Sequence, residues 1–568
     1  MSVPKVFVAG KPVSLDQNHY KGSGGEGAIY AKGSSAYKIY HTPAKVIAEG
    51  KIQELSKIQR TNVLAPTKLI TDVNGRGVGF VMPYVDKTEF LCKLFTKGFR
   101  DANRIDNSMI CRLVGIMRET LQSIHEKGIL VVDYNELNFL TNLDFDQVYH
   151  IDVDSYQTPH YPATAIMESI RDRQIKNNKW TRESDWFSFG ILAFQLFMAT
   201  HPYKGRHPDY GKDWQAMMNA GVSVFNKASR LPPNTQDWSV VPKGYLRWFE
   251  RVFEYGERLA PPDSPDVVAE PQGPVTPQII SSTAKFDLSL VRSYDEEILA
   301  ARYIDGALYV QTRTGVFADQ KRLRQYAKAT GYSERRLRRD ICPARGAAPV
   351  LITFNSLSGT LHYESLDGQL SGQVDTDGFF VANERMYVLA PCGLVEYSFV
   401  NLGAKTIVSQ AVVSQVFHNH AVFDGIVVQD ILSTCRVVFP TAAGIAANIH
   451  VKELDGVRVL NGKYERGIAI LLIEQGGVFK RVTLVFDKVY QHYTLREQSN
   501  VPIQEVVFTV LDKGVCVAAN EDAVEVFASN DTVKIVDDSP LTGTQKLMSA
   551  QNQVFMVHKN QIFKMAMQ

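Results

Sequence analysis

Leu130-Val-Val-Asp133-Tyr-Asn135-Glu-Leu-Asn138-Phe-Leu140, followed ten residues later by His150-Ile-Asp152-Val-Asp154, decides how this chain reads. The apolar flanks predict strands bracketing a loop. The loop presents a carboxylate at 133 and an amide at 138, and a second carboxylate follows on the next strand. Two acids and an amide at those spacings can orient a hydroxyl and hold a divalent cation on triphosphate oxygens. Asp and Asn are also ordinary turn residues, so the weight of the reading rests on the order of the motifs around them.

Upstream lies Gly22-Ser-Gly24-Gly25-Glu-Gly27, between β-type segments at Val13 and Ile29. Glycines so spaced let backbone amides approach phosphate oxygens. A dinucleotide-binding turn runs straight into a helix. This one runs into strands, Ile29-Tyr-Ala-Lys and then Ser35 to Tyr40, and so predicts a hairpin lying over a nucleotide. Pro43 to Arg60 reads as a helix with Ala48, Ile52, Leu55 and Gln59 on one side. Glu49 flanks that face and is the candidate partner of Lys38; a solvated surface charge is the competing reading. Gly77 to Val85 reads as a buried strand ending in a linker. Asn107 to Lys127 is strongly helical and stops at Gly128. Trp180 to Thr200 is apolar all round, the mark of a buried helix. Asp185 near its start needs backbone donors, and the Leu130–Leu140 loop is expected to supply them. Arg258 is expected to pair with Glu168.

With those runs in place, residues 20–262 resemble a bacterial protein-kinase-like domain, similar to the family often fused to helix-hairpin-helix modules. The matching runs are Gly25-Glu26-Gly27-Ala-Ile-Tyr, Lys38-Ile-Tyr-His41, Val78-Gly-Phe-Val-Met82-Pro83, Asp133-Tyr-Asn135-Glu-Leu-Asn138, Ile151-Asp152-Val-Asp154-Ser-Tyr-Gln157 and His201-Pro-Tyr203-x-Gly205. The resemblance implies a bilobal α+β kinase-like fold over residues 1–262, with ATP and Mg²⁺ as cofactors and a protein serine or threonine hydroxyl as acceptor. On that basis Lys38, paired with Glu49, would bind the α- and β-phosphates. Gly22, Gly24, Gly25 and Gly27 would cover them. Met82 would guard the back pocket, the Pro83 carbonyl and Val85 N–H would meet the adenine, and Ile29, Ala36 and Leu140 would sandwich the purine. Asp133 would accept the substrate proton, and Asn138 and Asp152 would hold Mg²⁺. Asn135 stands where the family carries a catalytic-loop lysine. Val131-Val132 replaces the usual His-Arg, which removes the arginine that an activation-loop phosphate would need, and Asp154 replaces a glycine. Two other readings stand beside the protein kinase: a catalytically inactive scaffold acting through the C-terminal half, and a small-molecule kinase, since the segment from Asp152 to about Glu168 gives little platform for a peptide.

Leu259 to Pro277 is proline-rich, which predicts an extended spacer, and residues 263–282 read as the linker between domains. Beyond it, residues 283–568 alternate short β-type runs and polar turns at about 30–50 residues, the period of propeller blades. Seven blades fit best and six is the alternative; a pair of β-sandwiches competes. The propeller would bind a protein substrate or partner. Lys321 to Arg339 concentrates basic residues, the single hint of nucleic acid, with a solvated insertion as the blander reading. His418-Asn-His420 turns two imidazoles to one side of a strand but lacks further ligands at metal spacing.

Composition bounds the rest. The chain has 568 residues, 45% hydrophobic and 21% charged, as a globular protein of two to four domains would. A net charge of +2 points to no particular polyanion. Six cysteines without C-x-x-C pairing suit a reducing compartment. No apolar run approaches the ~20 residues of a membrane span, and the first residues lack a secretory leader pattern. A soluble, cytoplasmic location is the expectation.

Overall fold

The computed structural model describes residues 5–164, 166–232, 235–262, 286–326, 337–402, 405–417, 419–431, 433–441, 446–490, 492–520, 523–529, 533–537 and 545–567. The chain divides into two compact units, residues 1–281 and 282–568. The proline-rich stretch expected as a linker, 263–282, lies outside the described residues.

The first unit opens with strands β1 (Val6–Val8), β2 (Lys11–Val13), β3 (Tyr20–Ser23), β4 (Gly27–Lys32) and β5 (Ser35–Tyr40), then helix α1 (Glu49–Leu55), and then β6 (Lys68–Thr71) and β7 (Gly77–Pro83). All seven strands form one sheet in the order β2-β1-β6-β7-β5-β4-β3, with antiparallel neighbours. Val6, Tyr20, Tyr30, Ile70 and Val81 close its apolar face. Gly79 permits the β5–β7 contact, because a Cβ there would lie 2.0 Å from the Lys38 carbonyl oxygen. α1 is a short helix, not the long Pro43–Arg60 element that periodicity suggested. Its apolar side is only Ile52 and Leu55, and Gln59 falls beyond it in the following coil.

A small sheet follows, built from β8 (Thr88–Phe90) and, further on, β9 (Phe139–Asn142) and β10 (Val148–His150). Between them run α2 (Lys97–Asn103) and α3 (Asn107–Glu126). α3 begins at an Asp106 side-chain cap on the Met109 amide and buries Ile110, Leu113, Val114, Met117, Leu121 and Ile124. α4 (Arg182–Met198) starts on a Thr181/Ser184 capping box and is buried on nearly every side. α5 (Trp214–Ala220) and α6 (Lys243–Phe253) complete this helical part. Arg258 docks on it differently from the sequence expectation. Its guanidinium makes two 2.7 Å bonds to buried Asp172. Glu168 is largely exposed and pairs with Arg171 and Arg173. A desolvated carboxylate demands the fork of an arginine more than a solvated one does.

The second unit is mostly β, in small antiparallel sheets. Among the described residues there are seven sheets of four strands. Six are sequential meanders whose first strands begin at residues 300, 337, 379, 420, 458 and 508. In the seventh, Lys546–Ala550, Gln553–His558 and Gln561–Met567 are joined by the first strand of the unit, Phe286–Ser293, which pairs with Gln561–Met567. Strands such as Val350–Asn355 and Arg385–Ala390 are buried nearly throughout, because both faces of each sheet meet another sheet. Seven apolar clusters make those contacts. They join the first sheet to the second, and so on to the seventh, and the last, with Tyr294, Leu308, Val310, Phe555 and Ile562, joins the seventh back to the first.

The basic stretch is divided between strands. Lys321–Gln325 and Leu337–Cys342 belong to two neighbouring sheets, and residues 327–336 lie outside the described set. Arg324 pairs with Glu364, and Arg339 donates to the Thr312 and Arg313 carbonyls. Those charges serve the fold. His420 bonds the Phe417 carbonyl oxygen at 2.8 Å, and His418 is outside the described residues. All six cysteines are free thiols. Among the described residues, no helix is long and apolar enough to cross a membrane.

Candidate functional site

β5 alternates, so Ala36, Lys38 and Tyr40 turn inward while their neighbours stay half-buried. A lysine on an inward face keeps its charge only against counter-charges. Lys38 Nζ donates to Asp152 Oδ1 and to Asp154 Oδ2, each at 2.7 Å, and Glu26 Oε2 stands 3.6 Å away. The Tyr40 hydroxyl donates to the same Asp154 oxygen at 2.6 Å. Burial by itself lowers the Lys38 pKa, but the two carboxylates outweigh it and the net displacement is upward. Burial pushes the Asp154 carboxyl up, against the pull of Lys38.

The β9–β10 hairpin brings the loop and the second carboxylate together. His150 lies opposite Phe139, and Ile151 N donates to the Asn138 carbonyl at 3.0 Å, which sets Asn138 beside Asp152. The preceding turn is held from α4. Val132 has φ +64°, rare for a β-branched residue, and such a conformation costs about 1–3 kcal/mol unless the surroundings fix it. Asp185 does so: its carboxylate, wholly buried, accepts the Val131 and Val132 amides at 2.8 and 2.9 Å and is bonded to His125 Nε2 at 2.9 Å.

Asp133 is buried at the mouth of this loop. Its Oδ1 accepts from Met167 N at 2.8 Å, and Asn138 Nδ2 donates to its carbonyl at 3.0 Å. Desolvation raises its pKa, countered by bonds from Asn135 and Met167, while the charge of nearby Asp152 adds to the rise. Asn135 Oδ1 accepts the Leu137 amide at 2.8 Å. Glu136, in the same turn, is buried, its Oε2 has no hydrogen-bond partner among the described residues, and burial pushes its carboxyl up to about 7.

The glycine turn closes on itself through Gly24 N to Gly27 O at 2.9 Å. A Cβ on Gly27 would lie 2.5 Å from the Ile39 carbonyl oxygen, whereas at Gly22, Gly24 and Gly25 it would meet nothing within 4 Å. Among the described residues, a side chain at any of those three glycines would start in open space. Ile29 faces Lys38 across the β4–β5 ladder; Ala36 lies opposite Met82, and Ser35 opposite Pro83, across β5–β7. Ala36 is buried, Ile29, Met82, Val85 and Leu140 are half-buried, and Pro83 is exposed.

Glu49 requires correction. It is exposed on the first turn of α1, and the charges on Lys38 are Asp152, Asp154 and Glu26. Sequence reasoning treated Asp154 only as a departure from a family pattern. The signal available was the i, i+2 alternation that aims Lys38 and Tyr40 to one side, together with an acid two residues past Asp152.

The donor set suits a hard divalent cation. Asp152 offers a carboxylate, and Asn138, its amide nitrogen engaged by Asp133, offers an amide oxygen. Among the described residues, Glu26, Asp152 and Asp154 also place carboxylate oxygens within 4.8 Å of one another.

The chain is 27% identical over 130 residues to serine/threonine-protein kinase 1 of Orgyia pseudotsugata multicapsid polyhedrosis virus, spanning 22% of this chain and 44% of that protein's length. No family model matches the chain.

Proposed function

We propose that the first unit is an ATP- and Mg²⁺-dependent protein serine/threonine kinase of bilobal fold and that the second is a seven-bladed β-propeller that engages a protein substrate or partner. One observation carries the catalytic reading: Lys38 of a glycine-turn sheet meets Asp152 at 2.7 Å, with Asn138 and Asp133 on the adjoining loop. The partial similarity to a viral serine/threonine kinase supports it. For the propeller, the support is that seven sheets are linked in cyclic order, with the unit's first strand completing the last sheet. That is the closure a propeller uses to protect its edges.

In this reading Lys38 neutralises the α- and β-phosphates beneath the glycine turn. Asn138 and Asp152 hold Mg²⁺, which would offset charge on the β- and γ-phosphate oxygens. Asp133 orients the acceptor hydroxyl and takes its proton, and the Asn135 amide steadies the Asp133 carboxylate without adding the positive charge of a lysine. The Met167 amide, bonded to Asp133 Oδ1 at 2.8 Å, would border the path of the acceptor hydroxyl.

Transfer of labelled γ-phosphate tests the proposal. The wild-type chain should label a protein acceptor. Asp133→Asn and Lys38→Ala should each lose about 100-fold or more, within the range ascribed to general-base and electrostatic groups. Equal labelling by all three would remove the enzymatic reading and leave a kinase-shaped scaffold. Labelling confined to small hydroxyl compounds would move the substrate class to metabolites.

A further inference from the structure

α1 packs against the Val153–Ser155 turn, yet it supplies no carboxylate to Lys38. Glu49 is exposed, and Glu54 is bonded to His160. What α1 turns inward is a lysine. Lys51 is 3% exposed, and its Nζ makes a long 3.4 Å bond to the Pro162 carbonyl oxygen. Desolvation lowers its pKa, while the fields of Asp154 and Glu26 favour its charge and that of Lys38 opposes it. The sign pattern is thus inverted relative to a helix acid facing a strand lysine: the helix carries the cation, and the turn carries the anion.

Asp152 has two tasks that compete. One of its oxygens holds Lys38 here, and in the proposed reaction the same carboxylate serves Mg²⁺. Asp154 is given no Mg²⁺ to hold in that reaction. It is 3% exposed, Tyr40 and Lys38 both donate to its Oδ2, among the described residues its Oδ1 has no hydrogen-bond donor, and Lys51 lies buried on the helix packed against its turn. We propose, resting on the kinase reading, that Asp154 is the positioning residue that fixes Lys38 for phosphate binding, and that Lys51 braces Asp154 through its charge. Lys38, Tyr40, Lys51 and Asp154 then form one buried unit, set before nucleotide arrives. Its orientation does not depend on a swing of α1.

The test uses the full chain and has two arms. In the first, acetylation of Lys38 by a small anhydride is followed by peptide mass spectrometry, with no nucleotide present. Asp154→Asn should acetylate at Lys38 at least fivefold faster than wild type, and Glu49→Gln should stay within twofold. Equal rates for wild type and Asp154→Asn overturn the inference, as does a Glu49→Gln rate matching Asp154→Asn. In the second arm, Asp154→Asn should lower kcat for γ-phosphate transfer at least tenfold while the KM for MgATP changes less than threefold. Lys51→Met should lower kcat by about fivefold, and Lys51→Arg should restore at least half of the loss. A Lys51→Met enzyme equal to wild type removes the bracing role. Unchanged thermal midpoints separate positioning from unfolding, and a variant that fails to fold is replaced by Tyr40→Phe, which removes a donor to Asp154 and should accelerate Lys38 acetylation in the same direction. If wild type transfers no phosphate, the kinase reading fails while the acetylation arm still decides the Lys38 anchor.

Discussion

In residues 337–414 the inward positions are filled by Ile, Val, Leu, Phe, Tyr and Met that pack one sheet on the next. In residues 130–154 of the first unit, Val131, Tyr134, Phe139 and Val148 are buried in the same way, but Asp133, Asn135, Glu136, Asn138 and Asp154 are buried among them. The two regions hold their shapes by different physics. The sheets of the second unit gain about 1.5–3 kcal/mol for each large apolar side chain they bury, and that gain is spread over many equivalent contacts. The loop of the first unit depends on a few charge-assisted bonds, Asp185 to the 131 and 132 amides and Lys38 to Asp152 and Asp154. Removing one partner there leaves a desolvated charge. Distributed packing makes a rigid frame, and concentrated polar bonding makes a site.

That contrast can be broken from either side. The larger stability effect belongs to the apolar frame. Phe439 stacks on Tyr464 with ring centroids 4.0 Å apart and is fully buried between two sheets. Phe439→Ala should destabilise the second unit by about 3–5 kcal/mol, read as faster amide exchange across residues 426–486, while protection of the 130–154 segment is unchanged. Loss of protection in both segments would show that the units share one cooperative core.

A smaller effect, dependent on pH, belongs to the polar loop. The Glu136 carboxyl is raised by burial from 4.5 to about 7. The folded chain therefore binds a proton that the unfolded chain releases between those values, and this group's contribution to stability falls as pH rises through that window. Glu136→Gln should gain at most about 3 kcal/mol at pH 8, and the gain should fade to nothing near pH 4.5. Thermal midpoints of mutant and wild type across that range check it. A gain independent of pH would assign the effect to packing.

How much was legible in the sequence follows the same division. Short β-type runs and polar turns recurring at about 30–50 residues announced the small sheets of the second unit, because each sheet repeats the same strand-and-turn pattern. α3 was legible for a similar reason: Ile110, Leu113, Met117, Leu121 and Ile124 repeat at helical spacing, and Gly128 stops them. α1 was not, since Ile52 and Leu55 are the only apolar residues it buries, beside Lys51, and the apparent continuation to Gln59 was coincidence of spacing. The Asp185 bonds to the 131 and 132 amides followed from a carboxylate in an apolar helix, which must find donors where it is buried. The choice between Glu49, Asp152 and Asp154 for Lys38, or between Glu168 and Asp172 for Arg258, depends on which acid is desolvated. Burial of a particular carboxylate is set by tertiary packing and has no local period. Glu26 stands 3.6 Å from Lys38 for the same reason, and nothing in the sequence marks it as a partner.

The central claim is that Lys38, Asn138 and Asp152 converge on a metal-bound triphosphate. Calorimetric titration of the full chain with a non-hydrolysable ATP analogue, with and without Mg²⁺, tests it most directly. The account predicts saturable one-to-one binding that weakens at least tenfold without Mg²⁺, and again in Asp152→Asn or Asn138→Ala with Mg²⁺ present. Absence of binding by the wild type, or binding indifferent to the metal and to both substitutions, would contradict it.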